Sequence, residues 1–304
     1  MRRHNDLEEK LKLSIIIITC NRKRELLKAI QSVEEEVLKM DAEIIIIDNA
    51  STDGTRELVE KYLELNTVPY KYFYSNENLG VAGGRNLSVT LSDGDYMFFL
   101  DDDAEVVSKD FFKTLLKYMR MNPDVIAASV NIQEPLTNTN LNTEFSYTDK
   151  NNLLLIASYC GCAHILRKNF WNDKPLYPDK LIFGSEEMYA SNVIWAQGKL
   201  VARFDDLVVN HFPSPINRYS GKERDINFLV NQYIIKCLTY PIITLGIVRV
   251  FFVLHLLKNG LLRKKYRLQI RRYIAERFNK AYVSRMPLTC WLKMLYFFGW
   301  KTIL

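Results

Sequence analysis

Apolar residues recur along this chain with two periods. Leu13 to Ile18 is a β-branched run, and the polar turn Thr19-Cys20-Asn21-Arg22 follows it before apolar positions return at Leu26, Leu27, Ile30 and Val33. A short apolar run bounded by turn residues predicts a buried strand, and spacings of three and four predict one face of a helix. The unit repeats. Glu43 to Ile47 reads as a strand, Asp48 to Gly54 as a loop, and Thr55 to Leu63 as a helix with Ser, Thr or Asp at hand to cap it. Two such units imply a parallel sheet. Tyr70 to Tyr74 adds a strand, Gly83 to Leu91 a helix, and Tyr96 to Leu100 a strand that runs straight into Asp101-Asp102-Asp103. Ligands of open α/β sheets bind beyond the carboxyl ends of the strands, so the pattern sends these polar loops to one rim.

Further on, Asp110 to Met121 reads as a helix and Val125 to Val130 as a strand. Asn131 to Asn152 is rich in Asn and Thr without periodicity, which predicts a mobile surface loop. Order returns with Leu153 to Tyr159, Gly161 to Leu166, a helix near Glu187 to Gln197 and a strand over Leu200 to Phe204. Phe212-Pro213-Ser214-Pro215 reads as a boundary, dividing the chain into a domain over 1–211 and an extension over 212–304.

Charge sharpens that division. The net charge is +6, yet residues 212–304 hold 17 Lys and Arg against 3 Asp and Glu, leaving −8 for residues 1–211. Chemistry is expected in the acidic part and attachment to something anionic in the basic part. Pro241 to Leu257 is apolar but interrupted by Arg249 and His255, and about 20 largely uncharged residues are needed to span a bilayer. Leu261 to Arg267, Arg271-Arg272-Tyr273 and Trp291 to Trp300 mix cationic and aromatic residues, as helices lying on an anionic membrane surface do. Membrane is therefore expected over 241–304, and nucleic acid is not; an amphipathic cap or an oligomer interface is the competing use. With 48% hydrophobic residues the chain can bury a sizeable core. Met1 to Lys12 lacks the apolar stretch of a signal peptide, which predicts a cytoplasmic location. The five cysteines match no common zinc spacing and read as reduced, mostly buried thiols.

Three carboxylates directly after an apolar strand repel unless a cation or solvent screens them. Asp101-Asp102-Asp103 therefore reads either as a site for Mg2+ or Mn2+ beside a nucleotide's phosphates or as a solvated acidic turn. His211 is either a further ligand or a structural histidine. The glycines of Gly80 to Gly84 let a backbone approach a ligand closely or simply open a helix, and Arg85 offers an always-charged fork to a diphosphate. Glu186 and Glu187 read either as acid–base groups or as acids favoured by a helix dipole.

The motifs S-I-I-I-I-T-C-N-R, I-I-D-N-A-S-T-D-G-T, N-L-G-V-A-G-G-R-N, F-F-L-D-D-D-A and G-S-E-E occur in that order. Over residues 13–211 this series resembles the family-2 glycosyltransferases, inverting enzymes of the bacterial rhamnosyltransferase-like or polysaccharide type. The resemblance implies an α/β chain with the nucleotide-sugar-binding GT-A fold, its mostly parallel central sheet flanked by helices. A C-terminal helical basic extension would follow. The resemblance also implies that Thr19, Asn21, Asp48 and Asn49 hold the base and ribose, with Asp53 supporting the loop and Asp102 near the ribose. Asp103 becomes the direct metal ligand, helped by Asp101 through water and completed by His211, while Arg85 pairs with the diphosphate. Where the family usually has E-D, and takes its base from the second acid, this chain has Glu186-Glu187. Glu187 takes the base's position, and Glu186 competes because Glu is one methylene longer than Asp.

The expected reaction is metal-dependent, inverting transfer of a hexosyl or deoxyhexosyl group. The donor would be a UDP or dTDP sugar, and the acceptor a saccharide or lipid-linked saccharide at the inner face of the cell membrane. A catalytically inactive nucleotide-sugar-binding scaffold and a nucleotidyltransferase are the competing classes. The intact triplet, Glu187 and His211 argue against the scaffold, and release of pyrophosphate would mark the nucleotidyltransferase. Pocket shape is expected to depend on Asn131 to Asn152 and on the segment around His164.

Overall fold

The computed structural model describes residues 12–141, 146–172, 174–181, 184–213 and 221–300. The charged start at Met1, Phe183 beside the acidic motif and the Ser214-Pro215 pair lie outside the described residues. The first half runs β1 (Leu13–Thr19), α1 (Lys23–Val37), β2 (Ala42–Asn49), α2 (Thr55–Leu65), β3 (Tyr70–Ser75), α3 (Gly80–Leu91), β4 (Tyr96–Asp101), β5 (Ala104–Val106) and α4 (Phe111–Met121). Next come β6 (Val125–Glu134), β7 (Thr139–Asn140), β8 (Ser146–Thr148), β9 (Leu154–Ile156), β10 (Ala163–Arg167), α5 (Glu186–Ala196) and β11 (Leu200–His211). Helices α6 (Gly221–Thr239), α7 (Leu245–Lys258), α8 (Lys264–Arg277) and α9 (Leu288–Phe298) follow.

One sheet holds all the strands, in the order β3-β2-β1-β4-β10-β6-β11-β9-β8, with β5 on β11 and β7 on β6. Its four longest ladders, β1 with β2, β1 with β4, β2 with β3 and β6 with β11, are parallel. Strand β10 runs antiparallel to both β4 and β6, which brings β6 and β11 back into the direction of β1. The carboxyl ends of β1, β2, β4, β6 and β11 therefore share one rim with the start of β10.

Period-two burial explains why the core is double. Along β1, Ile15 and Ile17 face α1 and α4, while Ile16 faces the opposite layer with Ile45 and Phe99. Both faces are covered, so the strand reads as a continuous isoleucine run rather than an alternation. Truncating one such side chain, Ile46→Ala for example, leaves a cavity costing about 2–5 kcal/mol. The second layer contains α5 and also Tyr240, Val248, Trp291 and Phe298, so α7 and α9 share its hydrophobic cluster.

Two expectations need correction. The segment Asn131 to Asn152 is not a featureless loop: β6 continues to Glu134, β7 folds back on it at Gln133↔Asn140, and β8 pairs with β9. These are polar, exposed edge strands, so they carry no apolar period to read; residues 142–145 lie outside the described residues. The strand expected over Leu200 to Phe204 continues to His211 through an irregularity between Phe204 and Val208. Beyond that bulge the strand also pairs with β5, setting His211 opposite Ala104.

Candidate functional site

A cleft of about 1220 Å³ opens along the rim, with Thr19, Asn49, Arg85, Asp101, Glu187 and His211 in its walls. Strand ends supply Thr19, Asn49, Asp101 and His211, while α3 supplies Arg85 and α5 supplies Glu187. Thr19 closes β1, and its hydroxyl donates to Asp102 at 2.7 Å. Asn21 adopts the left-handed region, φ 56°, which asparagine tolerates better than most residues. Its side-chain oxygen accepts from the Thr52 amide at 2.7 Å, tying the first loop to the second. Asp48 is fully buried and accepts from the Ser51 amide at 2.8 Å. Asn49 donates to the Gly80 carbonyl at 3.2 Å, and its own buried side-chain oxygen has no partner among the described residues. An orphaned acceptor in a cleft wall is suited to a ligand's donor group. Asp53 accepts from the Thr55 amide at 3.1 Å and from the Lys23 amide at 3.4 Å, so it braces the loop.

The acidic triplet is distributed rather than clustered. Asp102 and Asp103 are buried and share Arg22, whose Nη1 lies 2.8 Å from one and 3.3 Å from the other. Burial pushes the Asp102 carboxyl up to about 7 against the pull of Arg22 and Thr19. The Asp101 side chain keeps 39% of its surface exposed and faces the cleft. His211 Nδ1 is held by Glu134 at 3.0 Å, which turns Nε2 toward Asp103 at 3.3 Å. Burial works against the charged imidazole, but the hydrogen bond and charge of Asp103 outweigh it and raise His211 above its ordinary value.

Ligand atoms of Asp101, Cys162 and His211 lie within 4.8 Å of one another. Burial drives the Cys162 thiol well up, so it stays protonated and is a poor donor to a hard cation. Of that set Asp101 and His211 remain, with Asp103 3.3 Å from His211 beside them, and oxygen and nitrogen donors are the kind a divalent cation of the Mg2+ or Mn2+ type takes. Among the described residues no cysteine is in a disulfide; Cys162 is buried and the other four are half-buried.

Arg85, expected to offer its fork to a diphosphate, is buried and turned toward acids. Nη1 reaches Glu187 at 2.9 Å and Glu186 at 3.3 Å, while Nη2 reaches Asp101 at 3.3 Å and the Gly161 carbonyl at 2.8 Å. It links the triplet to the acids at the start of α5. Gly184 and Ser185 both take positive φ, 77° and 74°, turning the chain into α5 so that both glutamates meet this arginine. A side chain on Gly161 would force Glu187 aside, because a Cβ there would stand 1.9 Å from Glu187 Oε1. Glu186 is buried with one oxygen unpartnered among the described residues. Burial, then the charge of Glu187, pushes Glu186 up to about 8, which favours its protonated form. Glu187 retains 16% side-chain exposure on the cleft.

Sequence reasoning missed Arg22, Glu134 and Gly161. Arg22 was visible as a cation closing the first polar turn, whereas Glu134 and Gly161 carry no local signal. His164 lies fully buried beneath the cleft, stacked between Phe99 and Tyr159; its neighbours Tyr159 to Cys162 form the wall.

The family model described as "Glycosyl transferase family 2" matches residues 14–173. Among curated relatives, the abequosyltransferase RfbV of Salmonella typhimurium is 34% identical over 114 residues, 37% of this chain and 34% of its own. The GalNAc(5)-diNAcBac-PP-undecaprenol beta-1,3-glucosyltransferase of Campylobacter jejuni is 39% identical over 98 residues, 32% of this chain and 31% of its own. The chain thus matches about a third of the length of these two proteins. In three dimensions the chain is similar to GalNAc-T7, solved with UDP, GalNAc and Mn2+. The TM-score is 0.63 at 16% identity, covering 87% of this chain and 55% of that one. At that identity the likeness speaks for the GT-A fold.

Proposed function

The chain belongs to glycosyl transferase family 2, and on that premise we propose that it is an inverting, metal-dependent glycosyltransferase. The donor is a nucleoside diphosphate sugar of the UDP or dTDP type carrying a hexosyl or deoxyhexosyl group. The acceptor is a saccharide or lipid-linked saccharide. The observation that carries this reading is Glu187. Its carboxylate, clamped at 2.9 Å by buried Arg85, opens on the same cleft as Asp101 and His211. The UDP and Mn2+ named for GalNAc-T7 support this donor and cation, and the undecaprenol named for the Campylobacter enzyme supports a lipid-linked acceptor.

Thr19, Asn21, Asp48 and Asn49 bind the base and ribose, with Asp102 close to the ribose and Asp53 bracing the loop. Asp101, Asp103 and His211 would hold Mn2+ or Mg2+, which when bound neutralises charge on the departing diphosphate. Glu187 takes the proton from the acceptor hydroxyl as that oxygen attacks the anomeric carbon from the face opposite the leaving group, which inverts the centre. Arg85 fixes the direction of that carboxylate, and burial of Glu186 favours its protonated form, which weakens the like charge beside Glu187. The domain of residues 1–211 does this chemistry, and 212–304 keeps the protein in the cytoplasm against the inner face of the membrane.

The test is release of nucleoside diphosphate from UDP and dTDP sugars with saccharide acceptors, in Mn2+ and in EDTA, with the product's anomeric configuration read by NMR. Turnover that needs Mn2+, is lost in Asp103→Ala and gives the inverted anomer is expected. Equal turnover in EDTA would sink the metal assignment. A folded protein that binds a nucleotide sugar but cleaves none would favour the scaffold reading.

A further inference from the structure

Helix α7 keeps an apolar face outside the core. Ile243, Ile247, Val250, Leu254 and Leu257 follow one another at spacings of four and three, and their exposures are 79%, 44%, 56%, 51% and 55%. Those spacings place Ile247, Val250, Leu254 and Leu257 on one side of the helix, and Ile243, in the 3-10 turn of Ile242–Thr244 just before it, extends the row. The opposite side is packed: Val248 and Leu256 are buried, and Phe252 stacks on Tyr233 of α6 at 4.2 Å. Helix α9 carries a second exposed row, Leu288, Leu292 and Tyr296, continued just past its end by Trp300, whose ring lies 6.1 Å from Phe251 of α7. The two rows therefore adjoin and end in aromatic residues.

The charge of the segment that carries this face selects what covers it. Residues 241–304 hold 13 Lys and Arg against the single acid Glu276. Lys264, Lys265, Arg267, Arg271 and Arg272 of α8 and Arg249 of α7 are all exposed. A second copy of this segment would bring two strongly basic segments together, which like-charge repulsion opposes. An anionic lipid monolayer offers both complements, an apolar layer for the row and phosphates for the cations. Among the described residues no helix is long and apolar enough to cross a membrane. At about 1.5 Å per residue, α7 spans roughly 21 Å and suits lying in the interface.

We propose that the outward row of α7, joined by Tyr296 and Trp300, inserts into an anionic lipid monolayer, with the cations of α8 on the headgroups. The proposed function supplies its purpose. Helix α6, on which α7 packs, sends Phe228 and Gln232 into the cleft, and Phe228 packs on Gly184 beside the paired glutamates. Docking through α7 thus brings a lipid surface to the helix behind the acceptor side of the cleft.

Flotation of the full chain with phosphatidylglycerol/phosphatidylcholine vesicles and with phosphatidylcholine alone tests the inference. Wild type should float with the anionic vesicles and lose at least tenfold in partitioning between low and high salt. Ile243→Ser/Val250→Ser/Leu254→Ser should weaken flotation at least tenfold. It should keep the wild-type melting temperature and turnover on a water-soluble acceptor. Lys264→Ala/Lys265→Ala/Arg267→Ala should remove the preference for anionic vesicles. Wild type that stays with the soluble fraction, or a triple serine variant that floats unchanged, overturns the proposal. So does a wild-type dimer in light scattering that the serine variant converts to monomer. Flotation without turnover on any acceptor would count against the catalytic reading and leave docking standing.

Discussion

Charges on the rim and charges on the helical layer obey different physics. Arg85, Asp102, Asp103, Glu186 and His211 are buried, and each is set by a neighbour within a few ångström. The cations of α8 stand in solvent, where a single charge contributes little to stability and the group acts through its summed field. A rim residue is therefore irreplaceable in position, whereas a layer residue is replaceable by any other cation. Within α8 the exception is Arg277. It lies buried in the helical layer, donates to Asn227 at 2.6 Å and Asn231 at 2.8 Å, and Asn231 in turn donates to the Gly184 carbonyl at 3.0 Å. Through it the basic layer reaches the turn that presents the paired glutamates.

Breaking the rim should give the largest effects. Glu187→Gln is expected to lower kcat by about 10²–10⁴-fold, the range of a general base, while calorimetric donor affinity stays at the wild-type value. If Glu186→Gln is the inactive variant instead, the base is one residue earlier. Gly161→Ala, which forces Glu187 aside without touching its chemistry, should lower kcat by about 10²-fold with donor affinity kept. A Gly161→Ala enzyme with normal kcat would mean that the carboxylate's position is not decisive.

The layer should respond more weakly. Arg277→Met removes buried hydrogen bonds to a charged group and should lower stability by about 1.5–3 kcal/mol in denaturant unfolding. Lys264→Ala should change it by less than about 0.5 kcal/mol. Equal losses in these two variants would erase the contrast between buried and exposed cations. The subtlest expectation concerns pH. Glu186 sits at about 8 in the folded protein, above its ordinary 4.5, so the stability it contributes is complete at low pH and lost as pH rises through that window. Glu186→Gln should therefore gain melting temperature over wild type between pH 5 and pH 8. Identical pH slopes for the two proteins would show that another group titrates there.

Much of the fold was legible because buried strands are written in their own residues. The isoleucine runs of β1 and β2 and the apolar lead into Asp101 need no partner to be recognised, and the paired acids at the start of α5 stand out beside Gly184. The polar edge strands β7 and β8 were not legible, since their stability comes from ladder hydrogen bonds to neighbours distant in sequence. The link from His211 to Asp103 depends on the irregularity in β11, which returns the strand to β5.

By itself the chain determined where its strands end and which carboxylates stand there, because hydrophobic period and turn residues are local properties. Only the tertiary structure decided which charges meet. Arg85 faces Glu187 across 102 positions and Arg22 faces Asp102 across 80. Such pairs form where sheet order brings separate strand ends together and where burial makes an unpaired charge too costly to leave alone.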